Sequence, residues 1–143
     1  MEKTQAEVRA LLERRSQAAL DKDLSHLVSL YAPDVVYFDV VPGLQYTGTA
    51  VLRERFAGWF SAFAGPITMS LRDVTILASG DLAVAHMLNQ TSGTLKSGQA
   101  VSYWVRATVC CRRSAAGWLI THEHVSLPVD VATGRAAMHL TPG

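Results

Sequence analysis

Four long apolar stretches in the second half of the chain constrain its fold more than any other feature. They cover residues 67–78, 82–95, 99–113 and 118–127, and short turns that contain serine and glycine separate them. Apolar runs joined by such turns predict long strands connected as antiparallel hairpins. The first half of the chain shows helical periodicity instead, so we expect an α+β domain in which helices precede a sheet.

The predicted strands carry apolar residues on both of their faces. One face of a sheet can cover the helices, but the second face also has to be shielded from water. We therefore expect a curved sheet that wraps around the N-terminal helices. We also expect a homodimer in which the outer sheet face meets a second subunit, because Tyr103, Val105 and Val109 give the strand over residues 99–113 a second apolar face.

Three helices are predicted ahead of these strands. Residues 3–21 and 24–31 form the first two, and the third carries an apolar stripe that runs from Leu52 to Phe63. Arg15 lies near the centre of the apolar stripe of the first helix. Its guanidinium either reaches water at the end of a buried stem or points into a cavity beneath the helix.

The composition excludes several classes of protein. A chain of 143 residues suits a single domain with a real core, residues 1–143, with a C-terminal tail over 129–143. The net charge of +1 gives no electrostatic case for nucleic acid or an anionic membrane. No apolar run approaches the roughly 20 residues of a membrane span. The charged N-terminus differs from a signal peptide, and the adjacent Cys110 and Cys111 cannot join distant segments, so a cytoplasmic location is expected.

Asp39 is the carboxylate that the sequence places most conspicuously. It lies in an apolar segment predicted as a strand over residues 35–41, on the same face as Tyr37. A buried carboxylate is costly unless it is paired or its pKa is raised. Asp39 is therefore either paired with Arg15 or Arg106 as a structural group, or it is a general base or a ligand-orienting group in a pocket.

Arg106 is a second candidate because it lies in the middle of a predicted strand, on the same face as Trp104. It either reaches an exposed sheet face or forms part of a pocket wall, where it can grip a carboxylate or an enolate. Trp59 and Trp104 are expected in the core, and in an open cone they line the cavity.

Two histidines, His122 and His124, alternate in the last predicted strand, with Glu123 on the opposite face. A metal site would need a third ligand from His86 or Asp39, and the spacing differs from the HExxH motif. Pocket lining or a structural hydrogen-bond ladder is the favoured interpretation. We therefore expect no metal and no cofactor.

Four local patterns occur in order along the chain: LYAPDVVYFD, YTGTAVLRERF, GDLAVAH and GWLITHEHVS. Together they resemble the nuclear transport factor 2-like superfamily over residues 5–128, and in particular its SnoaL-like and ketosteroid isomerase homologue group. The resemblance implies a cone-shaped fold, also described as a cystatin-like roll. In this fold a curved sheet, antiparallel or mixed, wraps a long helix around a deep apolar pocket.

The resemblance also implies roles for particular residues. Asp39 falls at the place of the proton-shuttling base of ketosteroid isomerases. Their oxyanion hole combines a tyrosine with a protonated aspartic acid. Arg15 stands at the place of that tyrosine, and the strand YWVRATVCC offers no carboxylate for the acid. The base therefore matches and the oxyanion hole does not, which leaves proton transfer beside a carbonyl that an arginine polarises.

Two functions are consistent with these residues. The first is an isomerase- or cyclase-type enzyme acting on a small apolar carbonyl compound, with Asp39 as base and Arg15 together with Arg106 or His122 stabilising the oxyanion. The alternative is a non-catalytic ligand-binding or association module whose polar residues hold a carboxylate ligand. An epoxide hydrolase ranks third, because a second strand carboxylate cannot be placed. The expected ligand-binding residues are Tyr37, Trp59, His86, Trp104, His122 and His124.

Overall fold

The computed structural model describes residues 2–143, which form three helices, a six-stranded sheet and a short two-stranded ribbon. The predicted α+β class is confirmed. The helices are α1 (Glu2–Asp21), α2 (Leu24–Ser29) and α3 (Thr49–Ser61). The sheet contains β1 (Tyr31–Phe38), β2 (Tyr46–Thr47), β3 (Thr68–Ser79), β4 (Leu82–Thr94), β5 (Ala100–Ser114) and β6 (Gly117–Ser126), and the ribbon contains β7 (Val129–Asp130) and β8 (Arg135–Ala136).

The sheet has the strand order β2-β1-β6-β5-β4-β3, with β1 parallel to β6 and the other neighbours antiparallel. The long strands β3 to β6 follow one another as hairpins, as their turn residues predict. The first strand, β1, pairs in parallel with β6, which makes the sheet mixed. The sheet face against which α1 packs is called the inner face below.

The inner face of the sheet is set by the alternation of each strand. Ala83, Ala85 and Met87 of β4 are buried, and the residues between them are exposed. The helix α1 packs against β3 and β6. Its buried stripe contains Val8, Leu11, Leu12, Arg15, Ala18 and Ala19, at the helical spacing that the sequence shows.

The chain turns into β1 earlier than predicted. The helix α2 ends at Ser29, and β1 begins at Tyr31 and includes Pro33. The pairing of β1 with β6 is irregular between Tyr31 and Val36. Proline has no backbone N–H to give to a ladder, so Pro33 is tolerated where that ladder is interrupted. The strand also ends at Phe38, which places Asp39 just beyond it rather than in its middle.

The outer face of the sheet is partly apolar and exposed. Leu82 is 62% exposed, and Leu77 and Val84 are exposed beside it. The sequence predicts a second subunit on this face; Tyr103, Val105 and Val109, on which that expectation rested, face inward instead. The homodimer stays a prediction. None of the helices within residues 2–143 combines the length and the apolar character that crossing a membrane requires.

Candidate functional site

A cavity of about 290 Å³ lies between the helices and the inner face of the sheet. Small-molecule sites span roughly 300–1,000 Å³, so this cavity suits a small ligand. Much of its wall is apolar or aromatic. Its polar and ionisable lining residues are Arg15, Tyr31, Tyr37, Asp39, Arg55, Asn89, Thr91, Tyr103 and Glu123.

An ion pair between Asp39 and Arg55 forms one wall of the cavity. The Oδ2 atom of Asp39 lies 2.8 Å from Nε of Arg55, with the side chains 7% and 19% exposed. The Oδ1 atom accepts a hydrogen bond of 2.7 Å from the backbone N–H of Val40. The predicted pairing of Asp39 with Arg15 or Arg106 is therefore wrong. Asp39 follows the end of β1, where α3 packs against that strand and brings Arg55 within reach.

A second ion pair, between Arg15 and Glu123, is more deeply buried. Nη1 of Arg15 lies 2.8 Å from Oε2 of Glu123, and the two side chains are 2% and 3% exposed. The hydroxyl of Tyr31 donates to Oε1 at 2.7 Å, and that of Tyr37 donates to Oε2 at 3.2 Å. Nη2 of Arg15 lies 3.8 Å from Sδ of Met87. Arg15 thus points inward beneath its helix and does not reach water.

The protonation of this cluster follows from its burial and its charges. Burial raises the pKa of Tyr31 and Tyr37 well above the usual range, and the charge of Glu123 raises both further. Burial alone would lower the pKa of Arg15, but Glu123 and the tyrosines outweigh it, so the pKa of Arg15 is raised. The arginine stays charged and both phenols stay protonated donors. The charges of Arg15 and Glu123 thus compensate each other and two tyrosine hydroxyls donate to the carboxylate, whereas Nε and Nη1 of Arg15 make no hydrogen bond of good geometry within residues 2–143.

The strands β4 and β5 supply the remaining polar wall. Thr91 is paired with Tyr103 across these strands, and Asn89 is paired with Val105 one inward position further along. Burial raises the pKa of Tyr103, and the charge of Asp39 is the next contribution. Tyr103 is therefore a neutral hydroxyl that lines the same cavity as Asp39. Asn89 is buried, and its Oδ1 has no hydrogen-bond partner within residues 2–143.

Several predicted site residues lie outside the cavity. Arg106 and Trp104 are on the outer face of β5. They alternate along the strand with Tyr103 and Val105, which face inward and line the cavity. Nε of Arg106 donates to Oγ of Ser126 at 3.1 Å on that outer face. The interpretation of Arg106 as a pocket donor is corrected accordingly, as is the expectation that Trp104 lines the cavity.

The three histidines are also on the outer face. His86 and His124 are exposed, and Nδ1 of His122 lies 2.7 Å from the carbonyl oxygen of Val36. His122 alternates with Glu123, which faces inward, so the period of two turns the histidines away from the cavity. They therefore do not line it. Among residues 2–143 no group of three His, Cys, Asp or Glu side chains is placed to hold a metal ion.

Of the predicted site residues, the structure brings Asp39, Arg15, Tyr37 and Trp59 together around the cavity. The sequence reasoning missed Arg55 and did not use Glu123. A signal existed for Arg55, since it lies three residues after Leu52 and thus on the apolar stripe of its helix. The other polar cavity residues that the sequence did not predict are Tyr31, Asn89, Thr91 and Tyr103.

Comparison with known proteins gives a consistent result. A family model described as SnoaL-like domain matches residues 8–130. Among solved structures, an NTF2-like protein of unknown function from Pseudomonas putida KT2440 is 34% identical, with 99% of each chain covered and a TM-score of 0.89. An NTF2-like protein with a cystatin-like fold from Novosphingobium aromaticivorans is 25% identical, with 97% of this chain and 90% of that one covered and a TM-score of 0.77.

A ketosteroid isomerase-like protein from Erwinia carotovora atroseptica shares the fold at 20% identity and a TM-score of 0.72, over 85% of this chain and 93% of that one. A search of curated proteins found no match.

Proposed function

Since the chain belongs to the SnoaL-like domain family of the nuclear transport factor 2-like superfamily, we propose that it binds a small, largely apolar carbonyl compound in its cavity. We further propose that Asp39 moves a proton on that compound in an isomerase- or cyclase-type reaction. The observation that carries this proposal is the Asp39–Arg55 pair on the wall of the cavity, beside apolar and aromatic lining residues.

The surroundings of Asp39 fix the orientation of its carboxylate. Val40 and Arg55 each engage one carboxylate oxygen, so the group is held in one orientation. Each carboxylate oxygen can accept more than one hydrogen bond, so acceptor capacity remains for a ligand. A base that is already oriented loses little freedom when the ligand arrives.

The proposed step is a proton transfer in which no electrons leave the ligand. Asp39 takes a proton from the carbon next to the carbonyl, and the electron pair of that C–H bond moves onto the carbonyl oxygen as an enolate. Arg55 and Tyr103 are the donors that stabilise this oxygen. Protonated Asp39 then delivers a proton to another carbon and returns to the carboxylate form, so atoms and charge balance; in D2O the proton held by Asp39 exchanges in part for deuterium before delivery.

Arg15 has a different role in this proposal from the one that the resemblance implies. Arg15 already forms an ion pair with Glu123, and the two tyrosines donate hydrogen bonds to the same carboxylate, so the two charges compensate each other. We therefore assign oxyanion stabilisation to Arg55 and Tyr103, and to Arg15 the support of the cavity wall.

The same ion pair favours a second candidate function, a non-catalytic ligand-binding module. A carboxylate engaged by Arg55 and by Val40 can hold a ligand donor without accepting its proton. Arg55 would then bind a carboxylate or carbonyl oxygen of the ligand directly.

Hydrogen–deuterium exchange into a panel of small β,γ-enones separates these functions. Asp39→Asn keeps the shape of the side chain but cannot take a proton, so exchange is expected to fall by several orders of magnitude with ligand affinity little changed. The matched control is Asp34→Asn on β1, because the Asp34 side chain is 73% exposed. Wild-type exchange no faster than buffer across the panel would refute the proton-transfer step and leave the binding module.

A further inference from the structure

A groove beside the cavity shares one of its lining residues. The groove has a volume of about 350 Å³ and lies between α1 and the first half of β3. Its apolar lining residues are Leu20, Met69 and Leu71. Met69 also lines the cavity, and within residues 2–143 no other residue lines both spaces. The cavity and the groove therefore meet at Met69.

The pairing of β3 with β4 shows that the two spaces lie on the same side of the sheet. Met69 is paired with Thr91, and Leu71 is paired with Asn89. Paired residues of antiparallel strands point to the same face, and both Thr91 and Asn89 line the cavity. Met69 and Leu71 therefore face inward, so the backbone of the sheet does not separate the groove from the cavity. The half-buried side chain of Met69 separates them at this point.

We propose that Met69 is a gate between the cavity and the groove, and that the ligand carries an unbranched chain that passes this gate. Methionine is unbranched and has three rotatable bonds, so its side chain adapts to a new neighbour. Met69 borders the cavity on one side and the groove on the other, so it can change rotamer without displacing packed atoms. This inference rests on the proposed function, and it narrows the ligand to a small carbonyl compound with an unbranched chain.

The sizes and the charges of the two spaces support a chain of this kind. The cavity of about 290 Å³ is at the lower end of the range for small-molecule sites, so a ligand that fills it has no room there for a chain as well. Leu20, Met69 and Leu71 offer an apolar path along the groove. Arg9 and Glu13 bring one charge of each sign to the lining of the groove, which favours neither an anionic nor a cationic chain end. The chain is therefore apolar and uncharged.

Three related ketones test the inference by equilibrium binding. They are β-tetralone, its derivative with an n-hexyl chain on the far edge of the aromatic ring, and the isomer with a 1,1-dimethylbutyl group in place of that chain. The two substituents contain the same number of carbon atoms, so the comparison separates shape from hydrophobicity. Titration calorimetry is expected to show the n-hexyl probe binding about tenfold or more tightly than the other two, since burying two methylene groups corresponds to about that factor. Isomers that bind with equal affinity, or no binding of any probe up to its solubility limit, would overturn the inference.

The substitution Met69→Ala removes the gate and joins the cavity to the groove. The branched isomer is then expected to bind about tenfold or more tightly than it binds the wild type, so the preference for the n-hexyl probe largely disappears. The matched control is Leu71→Ala on the same face of the same strand, because Leu71 lines the groove and not the cavity. This control keeps the gate and is expected to keep the preference for the unbranched isomer. A preference that survives in Met69→Ala, or that is lost equally in Leu71→Ala, would contradict the role of Met69.

The substitution Met69→Ile tests the gate in the opposite direction, and it carries the test if Met69→Ala fails to fold. Isoleucine has nearly the same volume as methionine, but branching at Cβ restricts rotation about χ1. The advantage of the n-hexyl probe over β-tetralone is therefore expected to fall from about tenfold to about twofold or less, and an unchanged advantage would refute the gate. Asp39→Asn is expected to keep the preference for the n-hexyl probe while losing proton exchange, so failure of the proton-transfer step and failure of this inference are distinguishable.

Discussion

Removing the charge of Glu123 tests whether the buried cluster supports the fold, because it leaves the guanidinium of Arg15 without a counter-charge. Both side chains are nearly inaccessible, and their ion pair spans 2.8 Å. Breaking one partner of a buried pair costs about 3–5 kcal/mol, because the other charge stays buried and uncompensated. The substitution Glu123→Gln is therefore expected to take a large part of a total stability of about 5–15 kcal/mol.

The expected change in melting temperature follows from the length of the chain. At roughly 2.1 cal/mol/K per residue, unfolding entropy near the midpoint is about 0.3 kcal/mol/K for a chain of this size. A loss of about 3–5 kcal/mol then lowers the melting temperature by roughly 10–17 °C. Glutamine keeps one carbonyl acceptor, so one of the hydroxyls of Tyr31 and Tyr37 can remain bonded while the other meets an N–H donor.

A double-mutant cycle measures the coupling within this pair by urea unfolding. Arg15→Met alone leaves the carboxylate of Glu123 buried without its counter-charge, whereas Arg15→Met combined with Glu123→Gln leaves no buried charge in the pair. The double variant is expected to be more stable than the sum of the single losses predicts, by at least about 2 kcal/mol. The control is Glu7→Gln, which weakens the half-exposed ion pair between Glu7 and Arg113, whose charged atoms are 3.7 Å apart. This change is expected to cost under about 1 kcal/mol.

Additive single losses, or a cost for Glu123→Gln no larger than that of Glu7→Gln, would refute the account of a buried, charge-compensated cluster.

Two further predictions concern the thiols and the outer face of the sheet. Burial, followed by the charge of Glu123, raises the pKa of Cys111 to about 12, so at pH 8 this thiol stays protonated. A disulfide reagent is expected to modify at most the half-buried Cys110 quickly in the native protein and both thiols after unfolding; rapid modification of two native thiols would contradict this. The exposed Leu82 and Val84 predict a homodimer through the outer face, so light scattering is expected to give twice the chain mass and Val84→Arg to shift it toward the monomer. A wild-type monomer at micromolar concentration would refute the dimer.

The sequence alone was sufficient for the fold and for the family. Helical periodicity followed by four long apolar stretches indicated the helices and the sheet, and the order of the local patterns indicated the superfamily. These features depend on the periodicity of apolar residues and on turn residues, both of which a single sequence shows directly. The alternation of side chains along each strand could also be predicted from the sequence, and it placed Glu123 on the face opposite His122 and His124.

What the sequence left open was which face of each strand turns inward. Both faces carry apolar residues, so hydrophobicity did not distinguish the Glu123 side from the histidine side, or the Tyr103 side from the Arg106 side. Only the packing of α1 against the sheet decided it. For the same reason Arg15 could not be assigned between solvent and cavity until Glu123 was seen beneath it.

The partner of Asp39 was likewise decided by tertiary structure. Asp39 and Arg55 are on separate elements, and their distance depends on where β1 ends and how α3 crosses it. Side-chain pairing between elements is set by the crossing of their backbones, which local periodicity does not encode. The sequence therefore determined the fold and the presence of a carboxylate, and the tertiary structure decided which arginine and which cavity that carboxylate meets.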